Sequence, residues 1–167
     1  MITIIQPSLN PNSKTAVLCH EAISQFKSRQ ITPRLIDFRK LELEFCDGRA
    51  FHEYNDSIKE AYQSIQESEI VLIGCPVYCW SISGVLKNFI DITAKAFEGK
   101  KIGILVQAGS PFAYLASAEL MKILSFEANA TTVQPIVKSN INDFDHSGLK
   151  SKKVEEKIMQ LLDALLA

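Results

Sequence analysis

Ile70-Val71-Leu72-Ile73-Gly74-Cys75 (IVLIGC) runs directly into Pro76 to Ser83 (PVYCWSIS) and then Gly84 to Asp91 (GVLKNFID), and this stretch decides how the rest of the chain is read. An apolar run without polar alternation fits a strand covered on both faces, as in a parallel sheet. Pro76 to Ser83 reads as a loop of mixed polar and aromatic character. Beyond it, Leu86, Phe89, Ile90 and Ile92 recur at helical spacing and predict a helix from about Gly84 to Phe97. Strand, loop and helix in that order are the first part of a βαβ crossover.

The same alternation extends in both directions. Ile2 to Ile5 and Lys101 to Val106 are further buried-strand candidates. Val17, Leu18, Ala22, Ile23 and Phe26 predict a helix over Thr15 to Phe26. Gln30 to Phe38 reads as an extended segment that Pro33 assigns to an edge. Leu41 to Tyr54 reads as an irregular loop carrying three aromatics, and Asn55, Asp56 or Ser57 caps a helix running to about Glu67. A helix over Phe112 to Phe126, a strand over Thr131 to Val137, a polar loop over Ser139 to Ser147 and a helix over Lys150 to Leu166 complete the order. Five strands alternating with five helices predict an α/β fold of three layers, a five-stranded parallel sheet between helices. Residues 1–167 contain no repeat or linker, so one domain is expected.

Composition narrows the function classes. The 167 residues carry 18 basic and 19 acidic side chains, a formal charge of −1, which argues against a nucleic-acid partner. The opening MITIIQPSLN has no basic segment and too short an apolar run for a membrane span. Four cysteines without a secretory signal read as free thiols in a cytoplasmic protein. Cys75 and Cys79 are spaced C-x-x-x-C with no second pair or nearby histidine, so no metal site is expected. There is no G-x-S-x-G elbow, and no catalytic acid, base or nucleophile is assigned.

Ligands of open parallel sheets bind beyond the carboxyl ends of the strands, where strand order reverses. Three loops meet that condition. The first, QPSLNPNSKTA, offers the Ser8, Ser13 and Thr15 hydroxyls, the Asn10 and Asn12 amides and the Lys14 charge before a helix amino terminus, a natural phosphate site. For Ser13, helix capping is an equal alternative. The loop matches neither G-x-G-x-x-G nor G-x-x-x-x-G-K-[ST]. In the second loop Tyr78 and Trp80 supply flat apolar surfaces suited to a planar heterocycle. The third reads Gln107-Ala108-Gly109-Ser110.

These motifs resemble the NADPH-dependent FMN reductases and their azoreductase and quinone reductase relatives, over essentially the whole chain. The family pattern G-S-x-R-x-x-S after the first strand stands here as Pro7-Ser8-Leu9-Asn10-Pro11-Asn12-Ser13, with Pro7 for Gly and Asn10 for Arg. The pattern P-x-Y followed by G-x-L-K-N-x-x-D stands as Pro76-Val77-Tyr78 and Gly84 to Asp91. Ala108 replaces the first glycine of the usual Gly-Gly element.

The resemblance implies a flavodoxin-like fold holding FMN. Ser8, Asn10, Ser13, Lys14 and Thr15 would surround the phosphate. Pro76, Val77, Tyr78, Cys79, Trp80 and Ser81 would wall the ring and ribityl chain, and Ala108, Gly109 and Ser110 would meet the ring edge. It further implies NADPH or NADH as reductant, a small-molecule electron acceptor (a flavin, quinone, azo compound or metal ion), and a homodimer or homotetramer. A flavodoxin-type electron carrier and a flavin-fold sensor without turnover are the alternatives.

Overall fold

The computed structural model describes residues 1–113 and 115–167. Its central sheet is built from β1 (Ile2–Gln6), β2 (Arg34–Asp37), β3 (Ile70–Tyr78), β4 (Ser81–Ile82), β5 (Lys101–Ala108), β6 (Thr131–Thr132) and β7 (Val137–Asn140). The order is β2-β1-β3-β5-β6, with β7 also on β5 and β4 folded back on β3. All of these pairings are parallel except β3 with β4. This is the flavodoxin-like arrangement, and its order reverses between β1 and β3, the expected position for a ligand crevice.

Helices α1 (Lys14–Ser28) and α5 (Lys152–Leu166) cover one face, burying Leu18, Phe26, Ile158 and Leu161 against Ile4, Leu72 and Leu105. Helices α2 (Asp56–Gln66), α3 (Gly84–Thr93) and α4 (Ala116–Ala128) cover the other, burying Ile65, Leu86, Phe89 and Leu120 against Ile5, Ile73 and Ile104. Successive strand residues thus enter opposite cores, which is why the strands read as unbroken apolar runs. Of the three cap candidates, Asn55 is the one whose side chain accepts from the Ile58 amide. Pro33 lies just ahead of β2, which among the described residues pairs only with β1 and is the edge that the sequence predicts.

Four boundaries differ from expectation. The stretch from Pro76 to Ser83 is not a plain loop: β3 continues to Tyr78 and turns through Cys79 and Trp80 into β4, pairing Val77 with Ile82 and Tyr78 with Ser81. Pro76 is tolerated because the β1 ladder closes at Ile73, whereas the β5 ladder runs on to Pro76. Helix α4 starts at Ala116 and not near Phe112, because Phe112 and Leu115 face solvent and the buried stripe begins with Ala116, Leu120 and Leu124. Tyr114, inside the helix expected there, lies outside the described residues.

The last strand is split into β6 and β7, since Pro135 between them has no N–H to continue the ladder. The segment read as a polar loop from Ser139 continues β7 to Asn140 and then forms a small hairpin of β8 (Phe144–Asp145) and β9 (Gly148–Leu149).

Candidate functional site

A cleft of about 270 Å³ opens at the carboxyl ends of β1, β3 and β5. Ser8, Asn10, Asn12, Ser13 and Lys14 line it from the first loop, Pro76, Val77 and Tyr78 from the second, Gln107 and Gly109 from the third, and Ile141 from beyond β7. Three loops far apart in sequence converge because β1, β3 and β5 are adjacent in the sheet.

The first loop is shaped by short-range bonds. The Asn10 carboxamide oxygen accepts from the Asn12 amide at 2.9 Å, and the Asn10 carbonyl accepts from the Ser13 amide at 3.1 Å. Ser13 is the N-cap of α1, its Oγ accepting from the Ala16 amide at 3.0 Å. The capping alternative is therefore realised, and it leaves the Ser13 hydroxyl proton free to donate elsewhere. Lys14 and Thr15 are the first two helical residues, whose amides have no intrahelical acceptor.

Thr15 supplies a sharper signal: its Oγ1 is buried and has no hydrogen-bond partner. A buried hydroxyl left unpaired costs about 1–3 kcal/mol. Thr15 itself does not line the cleft: it lies buried one residue beyond Lys14, the only charged side chain lining the cleft among the described residues, and Lys14 with the α1 dipole makes a donor set suited to an anion. A flavin phosphate fits this set chemically.

Ser8 is held from behind by Gln6, a residue that sequence reading passes over. The Gln6 side chain accepts from the Ser8 amide at 2.7 Å and donates to the Ser8 carbonyl and to Asp37 Oδ1, each at 3.0 Å. Asp37 in turn accepts from the Arg39 amide at 3.1 Å and from Arg39 Nε at 2.9 Å. The Arg39 guanidinium, above all by hydrogen bonding, holds the Asp37 carboxyl below its ordinary pKa even though burial opposes ionisation. Gln6, Asp37 and Arg39 thus brace the first loop from beneath.

The second loop presents its aromatics outward. Tyr78 is 52% exposed and Trp80 63%. They flank a two-residue turn in which Cys79 (φ 50°) and Trp80 (φ 67°) are both left-handed, a backbone that favours Asn and Gly. Ser81 does not reach the cleft, because its hydroxyl donates to Glu119 of α4. Cys79 and Trp80 stand at the hairpin tip outside the lining. Ala108 and Ser110 line a smaller hollow beside Lys138, Ser139 and Asn140, while Gly109 faces the main cleft. Cys75, at the base, is buried, and burial pushes its thiol up to about 12, helped by the Glu119 charge. Asn12, offered by the first loop, lines the cleft as well; Gln107 and Ile141 also line it without having been assigned to the site, and only their position after the strands could have signalled them.

Exposed apolar side chains gather on this edge. Leu9, Tyr78, Trp80, Phe112, Leu115 and Ile141 all belong to segments that follow strand carboxyl ends and all are at least 49% exposed.

Residues 1–143 match the family model described as NADPH-dependent FMN reductase. The chain belongs to that family. Similar FMN reductase relatives include the NAD(P)H-dependent FAD/FMN reductase of Geobacillus thermodenitrificans, 26% identical over 89% of this chain and 83% of that protein. The FMN-dependent NADPH-azoreductase of Staphylococcus aureus is 28% identical over 64% of this chain and 59% of its own length. Among solved structures, the apo form of the NADH:FMN oxidoreductase EmoB superposes with a TM-score of 0.80 at 26% identity, covering 98% of this chain and 87% of that one. Among the described residues, no helix is long and apolar enough to cross a membrane.

Proposed function

We propose that this chain is an FMN-dependent oxidoreductase that accepts reducing equivalents from NADPH or NADH and passes them to a small acceptor. The observation that carries this reading is the anion-ready end of the cleft, where Ser8, Ser13 and the Lys14 charge line the start of α1 opposite Tyr78, with the orphaned Thr15 hydroxyl buried one residue behind Lys14. Ser8, Ser13, Lys14 and Thr15 would hold the phosphate, with Asn10 and Asn12 closing the loop over it. Pro76, Val77 and Tyr78 would bear on the ring, and Gly109 would bring its backbone close. FMN, when bound, supplies the hydride and electron chemistry, so the protein's part is to position it and leave one face open.

The lining agrees with that division of labour, since among the described residues it contains no carboxylate, imidazole or thiol. The apolar rim from Leu9 to Ile141 favours a planar acceptor such as a quinone, an azo compound or a free flavin over a hydrated metal ion.

Residues 1–167 would act as one flavin-binding unit. A homodimer or homotetramer is part of the same reading, supported by the groove between α3 and α4 in which Ile90, Ile123 and the 90%-exposed Phe126 lie beside Lys87, Asp91, Lys122 and Glu127. Four free cysteines favour the cytoplasm.

Anaerobic titration of FMN-loaded protein with NADPH and with NADH tests the reading. Loss of the oxidised-flavin absorbance with at least one of them, restored by a quinone, is expected. Tightly bound FMN that neither nicotinamide bleaches would overturn it.

A further inference from the structure

We propose that Glu119 is the positioning residue for the hairpin that sets Tyr78 against the cleft, acting through the hydroxyl of Ser81. The hairpin that carries Tyr78 and Trp80 is ill equipped to hold its own shape. Its two strands share only the pairs Val77–Ile82 and Tyr78–Ser81, and two-stranded ribbons of that length are marginal in water. Its turn puts Cys79 and Trp80 in left-handed backbone, a conformation strained for residues with a side chain. Both rings are more than half exposed, so core packing does not fix them. Something outside the hairpin must select this conformation.

Among the described residues, a tie of this kind is found at the turn. Ser81 follows Trp80 directly, and its hydroxyl donates to Glu119 Oε2 of α4, 38 residues further along the chain. A hydrogen bond to a carboxylate is roughly twice as strong as one between neutral groups. Ile82 anchors the inner end of β4 in the core, so the hairpin is held at Ile82 by burial and at Ser81 by Glu119. Glu119 lies in the first turn of α4, which has no side-chain cap at Leu115, and a carboxylate is favoured there by the helix dipole. That helix begins directly beyond the segment carrying Gly109 and Ser110. One carboxylate therefore links the hairpin of the second loop to the helix that follows the third.

The consequence for acceptor binding rests on the oxidoreductase reading; the consequence for hairpin order does not. Trp80 is the sole tryptophan of the chain, so the hairpin reports on itself. In flavin-free protein, Glu119→Ala and Ser81→Ala are each expected to lower Trp80 fluorescence anisotropy and to raise acrylamide quenching by about twofold. Glu119→Gln, whose amide oxygen still accepts from Ser81, should restore both signals. The Glu119→Ala/Ser81→Ala double variant should be no worse than either single one, as for two partners in one bond.

In FMN-loaded enzyme turning over the naphthoquinone menadione, the two alanine variants should raise KM for the quinone about tenfold with kcat nearly unchanged, from loss of a charge-assisted bond. Trp80 signals identical to wild type in Glu119→Ala would overturn the proposal. So would a lowered Tm accompanied by an unchanged KM, which is what a merely structural role predicts. A protein without turnover would sink the oxidoreductase reading alone and leave the fluorescence result to decide the tie.

Discussion

Gly74 and Thr15 are packed so closely that a Cβ on Gly74 would lie 2.6 Å from Thr15 Cγ2 and 2.9 Å from Cys19 Sγ. The first turn of α1 therefore rests directly on β3, with the Thr15 methyl turned to the sheet. Thr15 is β-branched and stiff, so this contact also fixes where its hydroxyl points.

Gly74→Ala is accordingly expected to weaken both fold and site. The helix start must move away from β3, at a cost of about 1–3 kcal/mol in stability. Urea denaturation should register that loss, and equilibrium FMN titration should show a weaker site in the same protein.

Asp37 makes the bracing of the first loop acid-labile. Its folded pKa is depressed, so its contribution is present above the unfolded value of about 3.9 and is lost as pH falls through the folded value. Wild-type stability and FMN retention should therefore decline together at acid pH below that range. Asp37→Asn should be less stable near neutrality and show a flatter acid limb, read from urea midpoints across the pH series.

The hairpin turn trades stability for a ring. Replacing Cys79-Trp80 by Asn-Gly, the pair that two-residue turns with left-handed backbone prefer, should stabilise the protein by about 1 kcal/mol or more. For a chain of this size that corresponds to a Tm rise of about 2–4 °C per kcal/mol. The same variant should bind planar acceptors less well. A calorimetric Tm and a quinone KM measured together check both halves.

Thiol chemistry should divide evenly. Cys19 and Cys75 are buried, and burial pushes each up to about 12, whereas Cys46 and Cys79 are exposed. A thiol reagent such as DTNB should titrate two groups rapidly in the native protein and four after denaturation. Protection of Cys79 by bound FMN would place the hairpin tip nearer the flavin than the cleft lining does.

The sheet was legible because IVLIGC and KIGILV are buried on both faces and carry no competing pattern. What escaped was local and tertiary. Nothing in PVYCWSIS announces a turn, since neither Cys79 nor Trp80 favours left-handed backbone, and the Glu119 tie comes from 38 residues away. Pro135 marked a break in the last strand only once β5 was seen pairing on both sides of it. In the site, hydroxyls and aromatics after the strands were visible by type. Gln6 was not, because a buried glutamine inside an apolar strand is a side chain whose role depends on Ser8 and Asp37 being brought to it.

The comparison of FMN with riboflavin, which lacks the phosphate, is the most direct test of the flavin site. Titrating flavin-free protein with each and following flavin fluorescence, FMN should bind at least about tenfold more tightly, as expected for charge-assisted bonds. Thr15→Val, which removes the orphaned hydroxyl at nearly constant volume, should bring FMN toward the riboflavin affinity and leave the unliganded protein as stable as before or more so. Equal affinities for FMN and riboflavin in the wild type, or an FMN affinity untouched by Thr15→Val, would contradict a phosphate cradle at the start of α1.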